Sequence, residues 1–576
     1  MEKILTVPEE LREEGAVFCT GNDYVSLCHI DGSGILRSIS HLRESTMGLI
    51  EYAGDRLLSL ELDGQPLQAR EACYIHDFIP QFRTAEGAVT WQFFAPEGIR
   101  GFCVRVLTRG IRGSLRLALR PDRFLRTVFH PLPLRAEAEY RYDKWSDTVC
   151  LELVAGGGIS ALSMGGQGCR KTFTQGSLAL EKDVAGDEEI CFFVTLGCEL
   201  DGARLANVDM RRRGRSLFPK TAALLDSHHI SLPDPQLDRL ANLNMCFCRY
   251  FSVGRCLDTD RLVLVTSRSG RYYVSGAYWA RDCMLWAFPA LLRWDEGLAR
   301  EALLTACTTY LKNGAGHALY MNGVSLYPGF ELDQLVAPII ALERYRKITG
   351  DTALWDDPRI REAVRFTLET LERWRDSATG LFATELSPSD DPCAFPFLTY
   401  DNHLVLAALK IMGDPKGWIP ALRESLRTHC VRSGRYLWSC DGKGGGEDYD
   451  NPPGSLLLIP YYGGCSSHDP IWRATLDHYF SRENPWYTEN ELLSGQGCEH
   501  APAPWPMSLC DRALSMGREE AVLRSLRAME MDNGIACETV RPENGRACTG
   551  AAFATFAGFY ANAIFECYED NAPIYG

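Results

Sequence analysis

The chain has 576 residues, of which 46% are hydrophobic and 23% charged, and its formal net charge is −15. This length exceeds what one compact core normally holds, so two or more domains are expected. The acidic balance disfavours nucleic acid or an anionic membrane as a partner, because both need basic surface. No run of about 18 apolar residues occurs, and the first ten residues lack the apolar core of a signal peptide. We therefore predict a cytoplasmic protein with no membrane partner.

The 22 cysteines are scattered and often lie inside apolar runs, such as 102–104 and 190–192. Without an export signal, this pattern predicts buried, reduced thiols. No CxxC pair and no HExxH motif is present, and no ligand set has the spacing of a zinc site. We predict neither a metal nor a cofactor.

From about residue 16 to 196, short runs rich in Val, Ile, Phe and Tyr alternate with Gly, Asp and Asn, as in 90–94, 101–107 and 189–196. Many short strands without helical stretches between them favour an antiparallel β-sandwich, predicted for residues 1–200. Residues 201–232 are charged and are predicted to be a linking helical region. On an acidic chain, the arginine triplet 211–213 indicates a solvated or interdomain face rather than a nucleic-acid site.

From residue 235 apolar residues recur at three- and four-residue spacing, which predicts about twelve helices. Alternate connections between them are long and rich in Gly, Pro and aromatic residues. Six helical hairpins favour a closed two-layered ring, an α/α toroid or (α/α)6 barrel, over residues 233–576. The long connections of such a ring gather on one face, where a site is expected. The predicted helices span 237–251, 279–292, 298–311, 332–348, 360–374, 404–412, 418–426, 456–462, 471–480, 505–514, 521–529 and 551–565.

Four connections carry residues suited to a sugar, because aromatic faces pack on C–H surfaces and planar charged groups bind vicinal hydroxyls. Each also has a plain structural interpretation as a helix start, an ion pair or a turn. A lone His such as His500 is more often structural than catalytic. The predicted substrate-binding residues are Tyr278, Trp279, Arg281, Asp282, Glu331, Ser389, Asp390, Asp391, Asn451, Gln496, His500 and Trp505.

Two segments about two hundred residues apart, 330–334 and 537–539, each place a carboxylate in the helical half. Two carboxylates across an aromatic-lined pocket are the minimum equipment for cutting a glycosidic bond. One holds a proton for the leaving oxygen, and the other stays ionised to activate a water. This pairing indicates a sugar-cleaving enzyme.

Six segments, taken in order, resemble glycoside hydrolase family 125, the metal-independent exo-α-1,6-mannosidases. The resemblance spans about residues 273–565. The matching segments are 277–282, 331–333, 388–391, 450–457 with 460–461, 484–487 and 505–509.

This resemblance implies an α/α toroid, an inverting mechanism and no catalytic metal. It implies that Asp333 is the general acid and Glu538 the general base. The chain departs from the family where Gln334 replaces the usual Ser and Cys537 replaces a His. Residues 549–553, Thr-Gly-Ala-Ala-Phe, stand where the family has Thr-Arg-x-Trp-Phe. The N-terminal sandwich is additional and resembles the one ahead of the toroid in bacterial glucoamylase-type enzymes.

The leading hypothesis is an exo-acting, inverting α-glycosidase of carbohydrate metabolism that removes a terminal α-mannose, with α-glucose as the next choice. The predicted partner is an oligosaccharide or glycoside; the sequence does not predict an oligomeric state. One alternative is a glucoamylase-like or debranching α-glucosidase, in which Glu331 is the more natural acid. Another is a catalytically idle carbohydrate-binding protein, which the missing Arg and Trp near Glu538 favour.

Overall fold

The computed structural model describes residues 15–155, 158–313, 316–449, 451–569 and 574–575. Asp450, in one of the family-like segments, and residues 1–14 of the predicted sandwich lie outside these ranges. The chain divides into two compact units. The first contains residues 1–230, 250–263 and 267–276, and the second contains residues 231–249, 264–266 and 277–576.

The first unit is built on one large antiparallel sheet, as the run of short β-type segments predicts. Its longest strands, Gly101–Leu119 and Ser177–Gly197, pair along most of their length and continue outward to further strands on either side. The sixteen described strands are Val17–Gly21, Ser26–Asp31, Leu36–Arg43, Gly48–Leu62, Gln65–Pro66, Glu71–Ile75, Ile79–Arg83, Val89–Phe94, Gly101–Leu119, Arg123–Thr127, Pro131–Pro133, Ala136–Asp143, Thr148–Ala155, Gly158–Gly166, Arg170–Thr174 and Ser177–Gly197.

Aromatic side chains fill the core beneath this sheet. Phe82 and Trp91 stack with ring centroids 5.7 Å apart, and Phe18 meets Phe82 edge-on at 5.2 Å. These rings are at most 1% exposed, and each removes a large apolar area from water. Two helices, Leu200–Arg213 and Leu217–His228, follow the last strand.

The second unit is helical, and its helices are of two kinds. In three of them nearly every residue is buried: Leu332–Thr349, Thr399–Ile411 and Ala554–Glu566. Segment Arg281–Ala287, a π-helical turn that continues into Phe288–Trp294, is buried in the same way. Helix Pro506–Met516 also buries most of its residues. A helix that is apolar all round belongs to the interior of a domain.

The helices that alternate with these along the chain bury only one stripe. Pro358–Trp374, for example, buries five of its residues, at spacings of three, four, three and one. It begins with Pro after an Asp357 cap, whose carboxylate accepts from the N–H of Arg359 at 2.9 Å, a favoured start for a helix. The helices of this second kind are Glu296–Thr305 with the π-helical turn Ala306–Tyr310, Pro358–Trp374, Ile419–His429, Pro470–Tyr479 and Glu520–Ala528.

Most of the predicted helices are present, including Pro235–Phe251. The prediction for 456–462 is wrong, because only the three-residue 3₁₀ turn Leu456–Leu458 forms there. Pro460 explains the difference, since a proline cannot donate the hydrogen bond that would continue a helix.

Short paired strands lie in the connections: Val253–Arg255, Leu262–Leu264, Ala277–Tyr278, Gly316–Tyr320, Ser325–Phe330, Phe397–Leu398, Val431–Arg432, Arg435–Tyr436, Ser439–Cys440, Gly446–Glu447, Tyr487–Thr488, Gly495–Gln496, Thr539–Val540 and Ala547–Thr549. Among the described residues, no helix is both long and apolar enough to cross a membrane.

Candidate functional site

The predicted site residues lie in the first turns of buried helices of the second unit or on the connections that precede them. Arg281 begins the π-helical turn, Asp333 lies in the first turn of Leu332–Thr349, and Glu538 lies on the connection before Ala554–Glu566. Helix N-termini present unpaired N–H groups and a positive dipole end. This end of the helices therefore favours carboxylates.

Arg281 is the centre of the first group of charges. Its side chain is 2% exposed. Nη1 donates to Oε2 of Glu331 at 2.8 Å and to Oδ2 of Asp333 at 3.1 Å, while Nη2 donates to Oδ1 of Asp390 at 2.7 Å. Asp282 adds a fourth carboxylate, 3.8 Å from Nε. One buried guanidinium thus holds residues from three separate connections.

Glu331 accepts hydrogen bonds from three side chains. Besides Arg281, Nε2 of Gln334 donates to it at 2.6 Å, and His317 Nδ1 contacts its other oxygen. Gln334 also accepts from the N–H of Ala280 at 2.6 Å and donates to the carbonyl of His317 at 2.8 Å. The glutamine that replaces the family's serine therefore ties three chain segments together around Glu331.

Asp333 is fully buried and accepts from the guanidinium of Arg281 and from the N–H of Gln334, the latter at 2.7 Å. Burial raises the pKa of Asp333 above its ordinary value, against the opposing effect of Arg281, and the negative charge of Asp390 adds to the increase. A raised pKa is what a general acid needs near neutral pH.

Asp282 is also buried, and its Oδ1 accepts from the hydroxyl of Thr555 at 3.0 Å. Burial raises the pKa of Asp282 to about 7, although Arg281 opposes the shift. Asp282 is thus another carboxyl group of this cluster that can hold a proton near neutral pH.

Glu538 lies in a second group, and its side chain is 6% exposed. Its backbone N–H donates to the carbonyl of Gly550 at 3.2 Å. A Cβ atom added to Gly550 would lie 2.5 Å from Cβ of Glu538 and 2.9 Å from its Oε2. Position 550 therefore packs directly on Glu538 and leaves no space for a side chain.

His500 and the 389–391 turn connect the two groups. Nδ1 of His500 lies 3.0 Å from Oδ2 of Asp391, and Nε2 lies 3.8 Å from Oε1 of Glu538. The neighbouring Asp390 contacts Arg281, and Ser389 donates to Oδ1 of Asn451 at 2.5 Å. Contacts between adjacent side chains and backbone thus run from Asp333, through Arg281 and this turn, to Glu538.

A cavity of about 410 Å³ opens beside Asp391 and His500. Its wall combines polar groups with aromatic faces, the combination expected of a sugar site. The aromatic and amide residues on this wall are Trp438, Tyr449, Trp486 and Asn451.

The aromatic residues predicted from the sequence lie deeper. Tyr278 is 2% exposed and stacks on Tyr310 at 3.8 Å, and Trp279, 1% exposed, meets His317 edge-on at 5.9 Å. Trp505 is 3% exposed and donates from its indole N–H to the carbonyl of Ala501 at 3.0 Å. Gln496 is fully buried. Their roles in substrate binding stay predictions.

Sequence reasoning missed two residues of this region. His317 comes from the strand Gly316–Tyr320 and has no motif around it that would mark it. Asp401 lies in the first turn of Thr399–Ile411, is fully buried, and neither carboxylate oxygen has a hydrogen-bond partner among the described residues. Burial raises the pKa of Asp401 well above its ordinary value, and the charge of Asp333 adds to this.

His317, Glu331 and Asp390 each offer one atom within 4.8 Å of the others, close enough to hold a metal ion. However, the guanidinium of Arg281 already donates to both carboxylates, at 2.8 and 2.7 Å. A cation placed there would lie against a buried positive charge. The residues fit an ion-pair cluster better than a metal centre.

Residues 374–565 match the sequence pattern of a family described as metal-independent α-mannosidase, glycoside hydrolase family 125. The matched stretch includes Asp390, His500 and Glu538, and it begins after Arg281 and Asp333. No curated protein matches the chain.

Solved structures match more of the chain at low identity. A Streptococcus pneumoniae metal-independent α-mannosidase, in a non-productive complex with α-1,6-mannobiose, is 19% identical, with a TM-score of 0.51 over 58% of this chain and 95% of its own. A bacterial glucoamylase complexed with acarbose is 13% identical, with a TM-score of 0.62 over 99% of this chain and 97% of the glucoamylase. A putative kojibiose phosphorylase from the human microbiome is 10% identical, with a TM-score of 0.60 over 98% of this chain and 88% of the phosphorylase.

The fold of the glucoamylase extends over nearly the whole chain, and the pattern of family 125 extends over its C-terminal third. The resemblance drawn from the sequence is therefore confirmed over residues 374–565, where this chain is similar to glycoside hydrolase family 125.

Proposed function

We propose that this protein is an exo-acting, inverting α-glycoside hydrolase that removes a terminal α-mannose, with α-1,6 as the favoured linkage. The observation that carries the proposal is the continuous set of contacts from Asp333 to Glu538 through Arg281, the 390–391 turn and His500. It joins two buried carboxyl groups, and two of the residues along it, Asp391 and His500, line the cavity.

Asp333 is the proposed general acid, which protonates the leaving oxygen. Its pKa is raised by burial, and it receives fewer side-chain hydrogen bonds than Glu331. Burial raises the pKa of Glu331 as well, but Glu331 contacts Arg281, Gln334 and His317, and donors of this kind stabilise a carboxylate. The comparison of the two surroundings favours Asp333 over Glu331 as the group that releases a proton.

Glu538 is the proposed general base. In an inverting reaction it takes a proton from water as the oxygen attacks the anomeric carbon, while the glycosidic bond breaks and Asp333 protonates the departing oxygen. The mechanism requires the two carboxyl groups to be about 6.5–9.5 Å apart, so that the water fits between base and sugar. The product then has the opposite anomeric configuration.

The remaining predicted residues bind the terminal sugar in this proposal. Asp390 and Asp391 belong to one turn, and Asp390 has φ of +68°, a conformation that is uncommon for a residue other than glycine and is enriched at functional sites. Ser389 and Asn451 form the adjoining hydrogen-bonded pair. Their hydroxyl and amide groups suit the hydroxyls of a hexose.

We infer a β-sandwich over residues 1–200, a linker over 201–232 and an (α/α)6 toroid over 233–576. Support for the toroid comes from the alternation, along the second unit, of helices buried all round with helices that bury one stripe. Such alternation is expected of an inner and an outer ring. The glucoamylase-like fold over the whole chain supports the same arrangement.

The proposal is tested with aryl α-mannosides, aryl α-glucosides and α-linked mannobioses, with the product anomer followed by NMR during the first minutes of reaction. We expect hydrolysis of α-mannosides, preference for the 1,6-linked disaccharide and initial release of β-mannose. Release of α-mannose would contradict inversion, and faster hydrolysis of α-glucosides would favour the glucoamylase-like alternative. Binding of α-mannosides without turnover would favour the idle carbohydrate-binding protein.

A further inference from the structure

His500 lies between two carboxyl groups that have different roles in the proposed mechanism. Its Nδ1 is 3.0 Å from Oδ2 of Asp391, and its Nε2 is 3.8 Å from Oε1 of Glu538. The His500 side chain is 34% exposed, whereas that of Glu538 is 6% exposed. The imidazole therefore separates a buried carboxylate from solvent and is itself reachable by water.

Both ring nitrogens of His500 face oxygen atoms of carboxylates. A neutral imidazole carries one N–H and leaves a lone pair toward the other carboxylate, whereas an imidazolium is positively charged and carries an N–H on each ring nitrogen. The hydrogen bond to Asp391 raises the pKa of His500, as do the charges of Asp391, Glu538 and Asp390, while burial opposes the shift. These surroundings favour the charged ring.

The opposite side of Glu538 has no room for a positively charged side chain at position 550. Gly550 has φ of +58°, and any Cβ there would lie 2.5 Å from Cβ of Glu538. The ring of His500 approaches Glu538 from a different connection, with Nε2 3.8 Å from Oε1.

We propose that His500 is a positioning residue for Glu538, orienting its carboxylate toward the attacking water, and that Asp391 acts by fixing the ring of His500. This rests on the proposed function, in which Glu538 is the base. It differs from the expectation that His500 binds the sugar directly.

The test is the pH dependence of kcat/KM in His500→Gln. Glutamine retains a donor for Asp391 but cannot carry the charge of an imidazolium, the form of His500 that the surrounding carboxylates favour by raising its pKa. We therefore expect kcat/KM of the variant to fall most at low pH, where His500 of the unchanged protein is charged, and least at high pH, where that ring is neutral. His468→Gln, a change at an exposed histidine, is the matched control and should leave the profile unchanged.

A second measurement separates positioning from substrate contact. In His500→Ala, added imidazole should restore part of the lost low-pH activity. In a double-mutant cycle, the low-pH losses of kcat/KM in Asp391→Asn and His500→Gln should not add, because Asp391 acts through His500. Additive losses would contradict that role of Asp391.

An unchanged profile in His500→Gln, or a rise in KM that is equal at all pH values, would overturn the proposal and favour direct sugar binding by His500. If Glu538→Ala is inactive at the same time, the assignment of Glu538 as the general base still holds. Normal turnover by Glu538→Ala would instead contradict the proposed function itself.

Discussion

Nη1 of Arg281 lies 3.1 Å from Oδ2 of Asp333, so the proposed general acid is in contact with a buried guanidinium. The guanidinium stabilises the carboxylate, whereas burial stabilises the carboxylic acid. Burial is the larger effect on the pKa of Asp333 and raises it. Since Glu331 and Asp390 bind the same guanidinium, the acidity of Asp333 depends on how many carboxylates share Arg281.

We predict that Asp333→Asn lowers kcat on mannobiose by roughly 10²–10⁴-fold, the usual contribution of a proton-transferring group. The amide still accepts a hydrogen bond from Arg281 but has no acidic proton. An aryl mannoside with a strongly acidic phenol needs no proton on its leaving oxygen, so it should be hydrolysed at nearly the normal rate. Steady-state kinetics on both substrates measure the difference.

Glu331→Gln is the control for this variant, because it changes a neighbouring carboxylate on the same guanidinium. It keeps the carboxyl group of Asp333, so it should slow both substrates without the selective loss on mannobiose that Asp333→Asn produces. If Glu331→Gln alone shows selective loss on mannobiose, Glu331 is the acid and the glucoamylase-like alternative gains.

We predict that Glu538→Ala lowers turnover by roughly 10²–10⁴-fold for both kinds of leaving group. The base acts on the attacking water, and its removal affects every substrate. Substrate affinity should be retained, because Glu538 contacts water more than sugar in this mechanism. Turnover and binding are measured beside Asp390→Ala; normal turnover in Glu538→Ala with an inactive Asp390→Ala would place the base in the 389–391 turn.

Hydrophobic periodicity predicted most helices of the second unit, because the spacing of apolar residues reflects which face of a helix is buried. Leu332–Thr349 and Pro358–Trp374 were predicted to within two residues at their starts and one at their ends. The failure at 456–462 has a local cause that the pattern ignores, since Pro460 lies inside the apolar run. Hydrophobic periodicity locates buried residues, but it does not register that a proline lacks the backbone N–H that a helix needs.

The pairing of side chains could not be predicted in the same way. Arg281 and Glu331 meet across fifty positions of sequence, and His317 joins them from a strand with no motif. The burial of Tyr278 could not be predicted either. A tyrosine beside a tryptophan in a loop is as typical of an exposed sugar-binding surface as of a buried core. Only the folded chain determines which of these groups approach each other.

We predict that Gly550→Ala lowers both activity and thermal stability. Alanine is strained at φ of +58°, and its Cβ would lie 2.5 Å from Cβ of Glu538, so the proposed base must shift. Gly517→Ala is the matched control: its φ is +77°, but nothing lies within 4 Å of the added Cβ. Gly517→Ala should lower thermal stability through backbone strain alone and leave kcat unchanged. Equal kcat values in the two variants would contradict a functional contact at position 550.

We predict that prolonged dialysis against a strong chelator leaves kcat and KM unchanged. Arg281 supplies the positive charge among His317, Glu331 and Asp390, and it donates to both carboxylates. Glu331→Gln with and without chelator is the control, since a metal held by that carboxylate would be lost more readily in the variant. Activity that falls on dialysis and returns with added calcium or zinc would contradict this prediction.

We predict that Asp401→Asn increases the free energy of unfolding at pH 8 relative to the unchanged protein, and has little effect at pH 4. The carboxyl group of Asp401 is fully buried without a hydrogen-bond partner among the described residues. Its folded pKa lies well above the ordinary value, because burial and the charge of Asp333 oppose ionisation.

The sign of the pH effect follows from this shift. The folded state binds the proton of Asp401 more tightly than the unfolded state, so its contribution to stability is fully present below about pH 4, the unfolded pKa. It is lost as pH rises toward the folded pKa. Asparagine has no proton to lose. Asp333 and Glu331, whose pKa values are also raised by burial, remain in both proteins. The difference between the two stability curves from urea unfolding therefore reports the ionisation of Asp401 together with its coupling to Asp333, and parallel curves from pH 4 to 8 would show that its ionisation is not linked to folding.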